Sequence, residues 1–249
     1  MSAAYATDEL RLLARLSGTA LPPSLDSTWH AGDEMVADVV AARVLLARGA
    51  VSLGGPNALR VTAAVDQIFS PLRQATTILE IECRVAGSGT RREIAAWCGE
   101  GGVHLVEREP DVWQLNACGS RPELADLLPA ADVALDTAFT LPAFVFDRVR
   151  LHHQAGEPLV AADLLNGVAE RAVFLSALDN QRTEVVIRAA HRIDDDTFAL
   201  DELWWLDCGA AGLWRLITSP DGDNAPTVAV CAVRVEDLRT AIAELETPV

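Results

Sequence analysis

The first part of the chain carries apolar residues at helical spacing. Leu10, Leu12 and Leu13 follow an acidic start at residues 7–9, which predicts a short helix that ends near Gly18. A longer helix is expected over residues 33–48. A third is expected over residues 56–70, with Pro71 as its end.

From residue 77 the apolar residues recur at every second position. In the segment TILEIECRVAG, apolar Leu79 and Ile81 alternate with acidic residues, which predicts a half-buried strand. Gly87-Ser88-Gly89 then predicts a tight turn, because glycine tolerates a positive φ. Further strands are expected at about residues 93–98, 102–107 and 112–117, before a helix that opens at Ser120 with a capping-box pattern.

The same order of elements returns after residue 157. Residues 157–178 read as one amphipathic helix with Leu165 and Val168 on its apolar stripe. Strands follow at about residues 184–192, 197–207, 212–218 and 227–233, and a helix over residues 235–246 closes the chain. The pattern predicts an α+β fold with antiparallel strands.

Two short sequences match across this repeat. AAWCGEGGVHLV and LWWLDCGAAGLWRLI align Cys98-Gly99 with Cys208-Gly209 at an offset of 110 residues. Cys118 matches Cys231 at an offset of 113. We interpret the repeat as a duplicated fold, in which the cysteines are buried fillers and the glycines occupy hairpin turns.

Composition narrows the possible functions. The chain has 249 residues, a net charge of −16 and no lysine, since all 20 basic residues are arginine. Such a surface repels phosphate, so nucleic-acid and anionic-membrane binding are not expected. Five cysteines without close pairing indicate neither a disulfide framework nor a zinc knuckle, and the acids and arginines near residue 8 argue against a signal peptide.

No segment presents a strong catalytic signature. Gly87-Ser88-Gly89 lacks the third glycine and the following helix of a dinucleotide site. The adjacent His152 and His153 point in different directions, which makes them a poor metal pair. The acidic residues 194–196 favour a solvated turn. We therefore expect no enzyme activity, cofactor or metal.

The order of elements resembles the EspG family of type VII (ESX) secretion-associated proteins of actinobacteria. The similarity rests on the helix ending RVLLARGA, the segment LWWLDCGAAGLWRL and the closing TVAVCAVRVEDLRTAIAEL. It implies one domain over residues 1–249, built as a quasi-twofold central antiparallel sheet flanked by helical bundles. The duplication places the pseudo-repeat halves at about residues 1–135 and 136–249.

The resemblance also implies a role. Family members are cytosolic, non-enzymatic chaperones that bind PE–PPE heterodimers and cover an apolar tip on the PPE protein. The corresponding contacts would come from the turn at residues 86–90 and the helix at residues 159–178. The expected partner-binding residues are Gly87, Ser88, Gly89, Leu159, Leu165 and Val168.

A second hypothesis is a duplicated small-ligand or metal-dependent module of the vicinal-oxygen-chelate type. Such a module needs His and Glu at matching positions in both halves. His104 aligns with Trp214, and His191 has no paired histidine in the first half. The sequence therefore favours the chaperone.

Overall fold

The computed structural model describes residues 2–22, 31–55, 58–99, 102–109, 112–116, 136–193, 198–219 and 225–245. The first elements are β1 (Ser2–Ala6), α1 (Thr7–Ser17), α2 (Ala31–Ala47), β2 (Val51–Gly55), β3 (Ala58–Val61), α3 (Ala63–Arg73), β4 (Thr77–Val85), β5 (Arg91–Gly99), β6 (Gly102–Glu109) and β7 (Val112–Asn116). They are followed by β8 (Ala138–Pro142), α4 (Ala143–Gln154), α5 (Pro158–Leu164), α6 (Arg171–Asp179), β9 (Thr183–Arg192), β10 (Phe198–Asp207), β11 (Leu213–Ser219), β12 (Thr227–Val233) and α7 (Val235–Leu245). None of these helices is both long and apolar enough to span a lipid bilayer.

Ten strands form one antiparallel sheet with a symmetric order. The order is β1-β7-β6-β5-β4-β9-β10-β11-β12-β8, so the sequence of connections is the same on either side of the β4–β9 pair. Ile81 and Ile187 are each the fifth residue of their strand, and they pair with each other. A local twofold axis therefore passes beside this pair. The prediction of an α+β fold with a duplicated central antiparallel sheet is confirmed.

Helices cover the sheet unequally on its two faces. Residues paired directly across an antiparallel sheet point to the same face. On one face, α1–α3 pack over Ile78 and Trp97, and α4–α6 pack over Leu206 and Trp214. On the other face, α7 packs over the central strands and buries Trp205.

A charged strip separates the two helical layers on the first face. Glu80, Glu82 and Arg84 alternate along β4, while Glu184 and Arg188 alternate along the paired strand β9. These side chains share one face because the register pairs Glu80 with Arg188 and Arg84 with Glu184. The middle of this face, between the two helical layers, is therefore polar.

Helix α1 shows how local sequence forms these elements. Leu10, Leu13 and Ala14 are buried on one side of the helix. The Glu9 carboxylate accepts the Ala6 N–H at 2.9 Å and so satisfies a donor that the first turn leaves free. Gly18, with φ of 66°, ends the helix in the left-handed conformation.

The prediction of a third helix over residues 56–70 is partly wrong. A hairpin, β2–β3, occupies the predicted start, with Val51 paired to Val61, and α3 begins only at Ala63. The helix also continues past Pro71 to Arg73. Phe69 and Leu72 are both buried in the core, and this packing holds the last turn in helical form.

The single helix predicted over residues 157–178 is also wrong. The chain forms α5 and α6 instead, and Gly167 lies between them with φ of 93°, which a continuing helix does not allow. Strands β1 and β8 and helix α4 were not predicted. The capping box at residues 120–123 and the acidic residues 194–196 lie outside the described residues. The boundary between halves near residue 135 stays a prediction.

We expect the strand pair at the centre of the sheet to control stability. Ile187 is fully buried beneath α7, so Ile187→Ala should lower the free energy of unfolding by about 2–5 kcal/mol. Ile193, just beyond the same strand, is 66% exposed, so Ile193→Ala should cost less than about 0.5 kcal/mol. Urea denaturation monitored by circular dichroism measures both. Equal effects of the two substitutions would contradict the packing described.

Candidate functional site

A groove of about 950 Å³ opens at the end of β4, on the face of the sheet that carries the charged strip. It lies between the β4–β5 turn and the helices α4 and α6. Its lining comes from four parts of the chain: Arg84, Val85, Ala86, Gly87, Gly89, Thr90 and Arg91; Asp147, Arg150, Leu151, His153 and Gln154; Leu178, Asp179 and Gln181; and Glu184. The groove is large enough to receive several side chains of another molecule.

Hydrogen bonds fix the β4–β5 turn in place. The Ser88 hydroxyl donates to the Val85 carbonyl at 3.2 Å and accepts the Thr90 N–H at 3.0 Å. The Ala86 N–H donates to the Arg182 carbonyl at 2.8 Å, which ties the turn to the start of β9. Gly87 and Gly89 have φ of 72° and 66°, as the predicted tight turn requires.

The Glu184 carboxylate lies at the floor of the groove and is almost completely buried. It accepts hydrogen bonds from Arg150 Nη2 at 2.6 Å and from Trp204 Nε1 at 3.0 Å. The Arg150 guanidinium also lies 5.2 Å from the centre of the Trp204 ring. These contacts compensate the buried negative charge and hold α4 against the sheet.

A second buried carboxylate, Glu82, lies on the same face of β4. It accepts from Arg84 Nε at 2.5 Å and pairs with Arg91 Nε at 2.8 Å. The hydrogen bond to Glu82 raises the pKa of Arg84 above its ordinary value, so Arg84 stays charged. The two arginines are about half exposed and line the groove beside the β4–β5 turn.

Apolar side chains border these charges. Leu151 on α4 is 63% exposed in the groove, and Val85 at the end of β4 is also exposed. Phe144 on α4 and the residues Leu159 and Val160 on the neighbouring helix α5 are also exposed. An apolar surface framed by satisfied charges is typical of a protein-binding site.

The six expected partner-binding residues differ from one another in location and in exposure to solvent. Gly87 and Gly89 line the groove, and Ser88 lies between them in the turn. Leu159 is exposed on α5, whereas Val168 is half-buried against the core. Leu165 is completely buried in that core, so its side chain is not part of the accessible surface. Contact with a partner through the other five stays a prediction.

Histidines near the groove form isolated pairs with single acids. His152 Nδ1 lies 2.6 Å from Glu157, and His153 Nε2 lies 2.8 Å from Asp179. Elsewhere, His191 is buried between Thr77 and Asp201. Across the part of the chain that the structure describes, no three His, Cys, Asp or Glu side chains come together in a way that could hold a metal ion.

The repeated cysteines are buried. Cys98 and Cys208 are almost inaccessible to solvent. Desolvation, aided by the charge of Asp207, raises the pKa of the Cys208 thiol to about 12, so it is protonated near neutral pH and a poor nucleophile. Gly209 has φ of 56° in a 3-10 turn before β11, while Gly99 ends β5 opposite Gly102.

Comparison with known proteins identifies the fold. No protein-family model and no curated protein sequence matches the chain. A solved structure does: the Mycobacterium tuberculosis type VII secretion system chaperone EspG5 in complex with the PE25-PPE41 dimer. The TM-score is 0.61 at 14% sequence identity, and the similarity covers 98% of this chain and 95% of that chain. The chain therefore has an EspG-like fold over almost its whole length.

Removal of the buried carboxylate at the groove floor should destabilise the protein. Glu184→Ala leaves Arg150 without its carboxylate, and we expect a loss of about 3 kcal/mol in the free energy of unfolding. The matched substitution Glu202→Ala breaks an exposed ion pair with Arg188 and should cost under about 1 kcal/mol. Chemical denaturation compares the two. A smaller loss for Glu184→Ala than for Glu202→Ala would contradict the role given to Glu184.

Proposed function

We propose that this chain is a non-enzymatic chaperone or adaptor that acts in the cytosol. It binds a PE–PPE-type heterodimer destined for type VII secretion and covers the apolar tip of that client. The observation that carries the proposal is the groove between the β4–β5 turn and α4, which exposes Leu151 and Val85 on an EspG-like fold. The similar EspG5 structure is a complex with a PE25-PPE41 dimer.

The physical properties of the groove suit a helical apolar tip. Exposed Leu151 and Val85 offer apolar area, which drives association when it is removed from water. Two of the neighbouring charges already have partners, since Arg150 is paired with Glu184, and Arg84 with Glu82. A client can therefore cover them without leaving an isolated buried charge. The polar rim orients the client.

The turn at residues 86–90 supplies the second wall of the groove. Its internal hydrogen bonds hold it in one conformation, so little conformational entropy is lost on binding. Gly87, Ser88 and Gly89 present backbone close to the groove, and glycine allows close approach of a client helix. We assign this turn, together with Leu159 and Val168, to the client-binding region.

The chemistry of the chain supports binding over catalysis. The repeated thiol at Cys208 is buried and protonated, and the buried carboxylates hold structural ion pairs. The net charge of −16 favours solubility of a complex with an aggregation-prone client. The metal-dependent alternative has no comparable support among the described residues, because the paired ligands that it requires are not brought together.

Binding is tested by co-expression with PE–PPE-type pairs from the same genome. We expect a soluble complex with one such pair, isolated by affinity capture and size exclusion. Leu151→Asp should weaken that complex roughly 30-fold or more, because it places a charge in the apolar part of the interface. The affinity is measured by calorimetry or by surface plasmon resonance.

Leu53→Asp is the matched control. Leu53 is 71% exposed on the β2–β3 hairpin, in the other helical layer, so the same change should leave client affinity within about twofold. Failure of every pair to bind the folded protein would overturn the proposed function. Equal losses for the two variants would refute the assignment of the groove.

A further inference from the structure

Helix α2 carries apolar residues on its exposed side as well as on its buried side. Ala41 and Leu45 face the core of the first helical layer and are buried. The opposite side exposes a set of large apolar residues: Met35, Val36, Val39, Val40, Val44 and Leu46. A helix with this pattern is normally covered on both sides. Scattered surface apolar residues are ordinary, but six on one side of a single helix indicate an interaction surface.

Two charged residues on α2 have no ion-pair partner among the residues that the structure describes. Glu34 and Asp38 are held by Arg15 of α1, and Arg48 is held by Glu9. Asp33 and Arg43 are exposed, and within the described part of the chain neither has an ion-pair partner. Asp33 lies in the first turn of α2 and Arg43 lies just before its last turn, with Met35, Val36, Val39 and Val40 between them.

We propose that the exposed face of α2 binds the same face of α2 in a second copy of this chain, with the two helices antiparallel. A contact between identical surfaces around a twofold axis is the commonest form of dimer. If the helices cross between Val39 and Val40, Val36 of each copy lies opposite Arg43 of the other. The Arg43 stem then packs on apolar surface while its guanidinium reaches Asp33 of the other copy.

Charge decides between the two possible directions. In the antiparallel dimer, Asp33 of each copy and Arg43 of the other form two reciprocal ion pairs, one on each side of the crossing point. A parallel arrangement brings Asp33 beside Asp33 and Arg43 beside Arg43, which is unfavourable. The unpartnered charges therefore complement the same surface of a second copy.

The exposed face of α2 is separate from the proposed client-binding groove, so dimerisation through α2 does not depend on the proposed function. Helix α2 packs in the helical layer over Ile78 and Trp97, whereas the groove is bordered by the layer formed by α4–α6. The test accordingly uses the protein alone, without a client.

Sedimentation equilibrium and light scattering measure the mass over a range of concentrations. We expect wild type to reach twice the 26.6 kDa of one chain as concentration rises. Asp33→Arg and Arg43→Asp should each weaken the dimer at least about tenfold, because each places like charges opposite one another. The double variant with both changes should regain most of the wild-type association. Arg239→Asp, on an exposed part of α7, is the control and should leave association unchanged.

All of these positions are exposed, so the thermal unfolding temperature should stay within a few degrees of wild type. A wild-type mass of one chain at every concentration would overturn the proposal. A dimer that both single variants leave intact would place the interface elsewhere. Failure of the double variant to restore association would contradict the antiparallel pairing.

Discussion

The antiparallel pairing of β4 with β9 joins two similar half-sheets into one sheet of ten strands. Its register places Ile81 against Ile187 beside the local twofold axis, and the other strands follow in the same order on either side of this pair. Because side chains alternate between faces, the same register puts Ile81 and Ile187 beneath α7. It also gathers the charges of both strands on the opposite face. The same strand register therefore determines both the centre of the sheet and the position of the charged strip.

The groove follows from how the helices meet this face. Each helical layer covers apolar residues of the strands away from the axis, so the charged strip lies between the layers. Glu82 and Glu184 are nevertheless buried, and they are tolerated because arginines from β4, β5 and α4 neutralise them. The β4–β5 turn and α4 rise beside the strip and leave a cleft with apolar edges.

Local signals predicted much of the fold. The alternation at Leu79 and Ile81 and the glycines at residues 87 and 89 identified β4 and its turn, since both depend on neighbouring residues alone. Strands β1 and β8 were not predicted, because they are short edge strands that depend on pairing with β7 and β12. The ion pair of Arg150 with Glu184 joins residues far apart in the chain, so no spacing reveals it. The sequence signal available for this site was the presence of charged residues, such as Glu82, inside otherwise apolar strands.

We propose that the groove beside the β4–β5 turn is the client-binding surface. Hydrogen–deuterium exchange of the chain, with and without a bound PE–PPE-type heterodimer, tests it most directly. We predict slower exchange in the backbone of residues 86–90 and around Leu151 in the complex, with exchange unchanged along the β2–β3 hairpin. Protection confined to residues outside the groove, with residues 86–90 and α4 unchanged, would contradict the account.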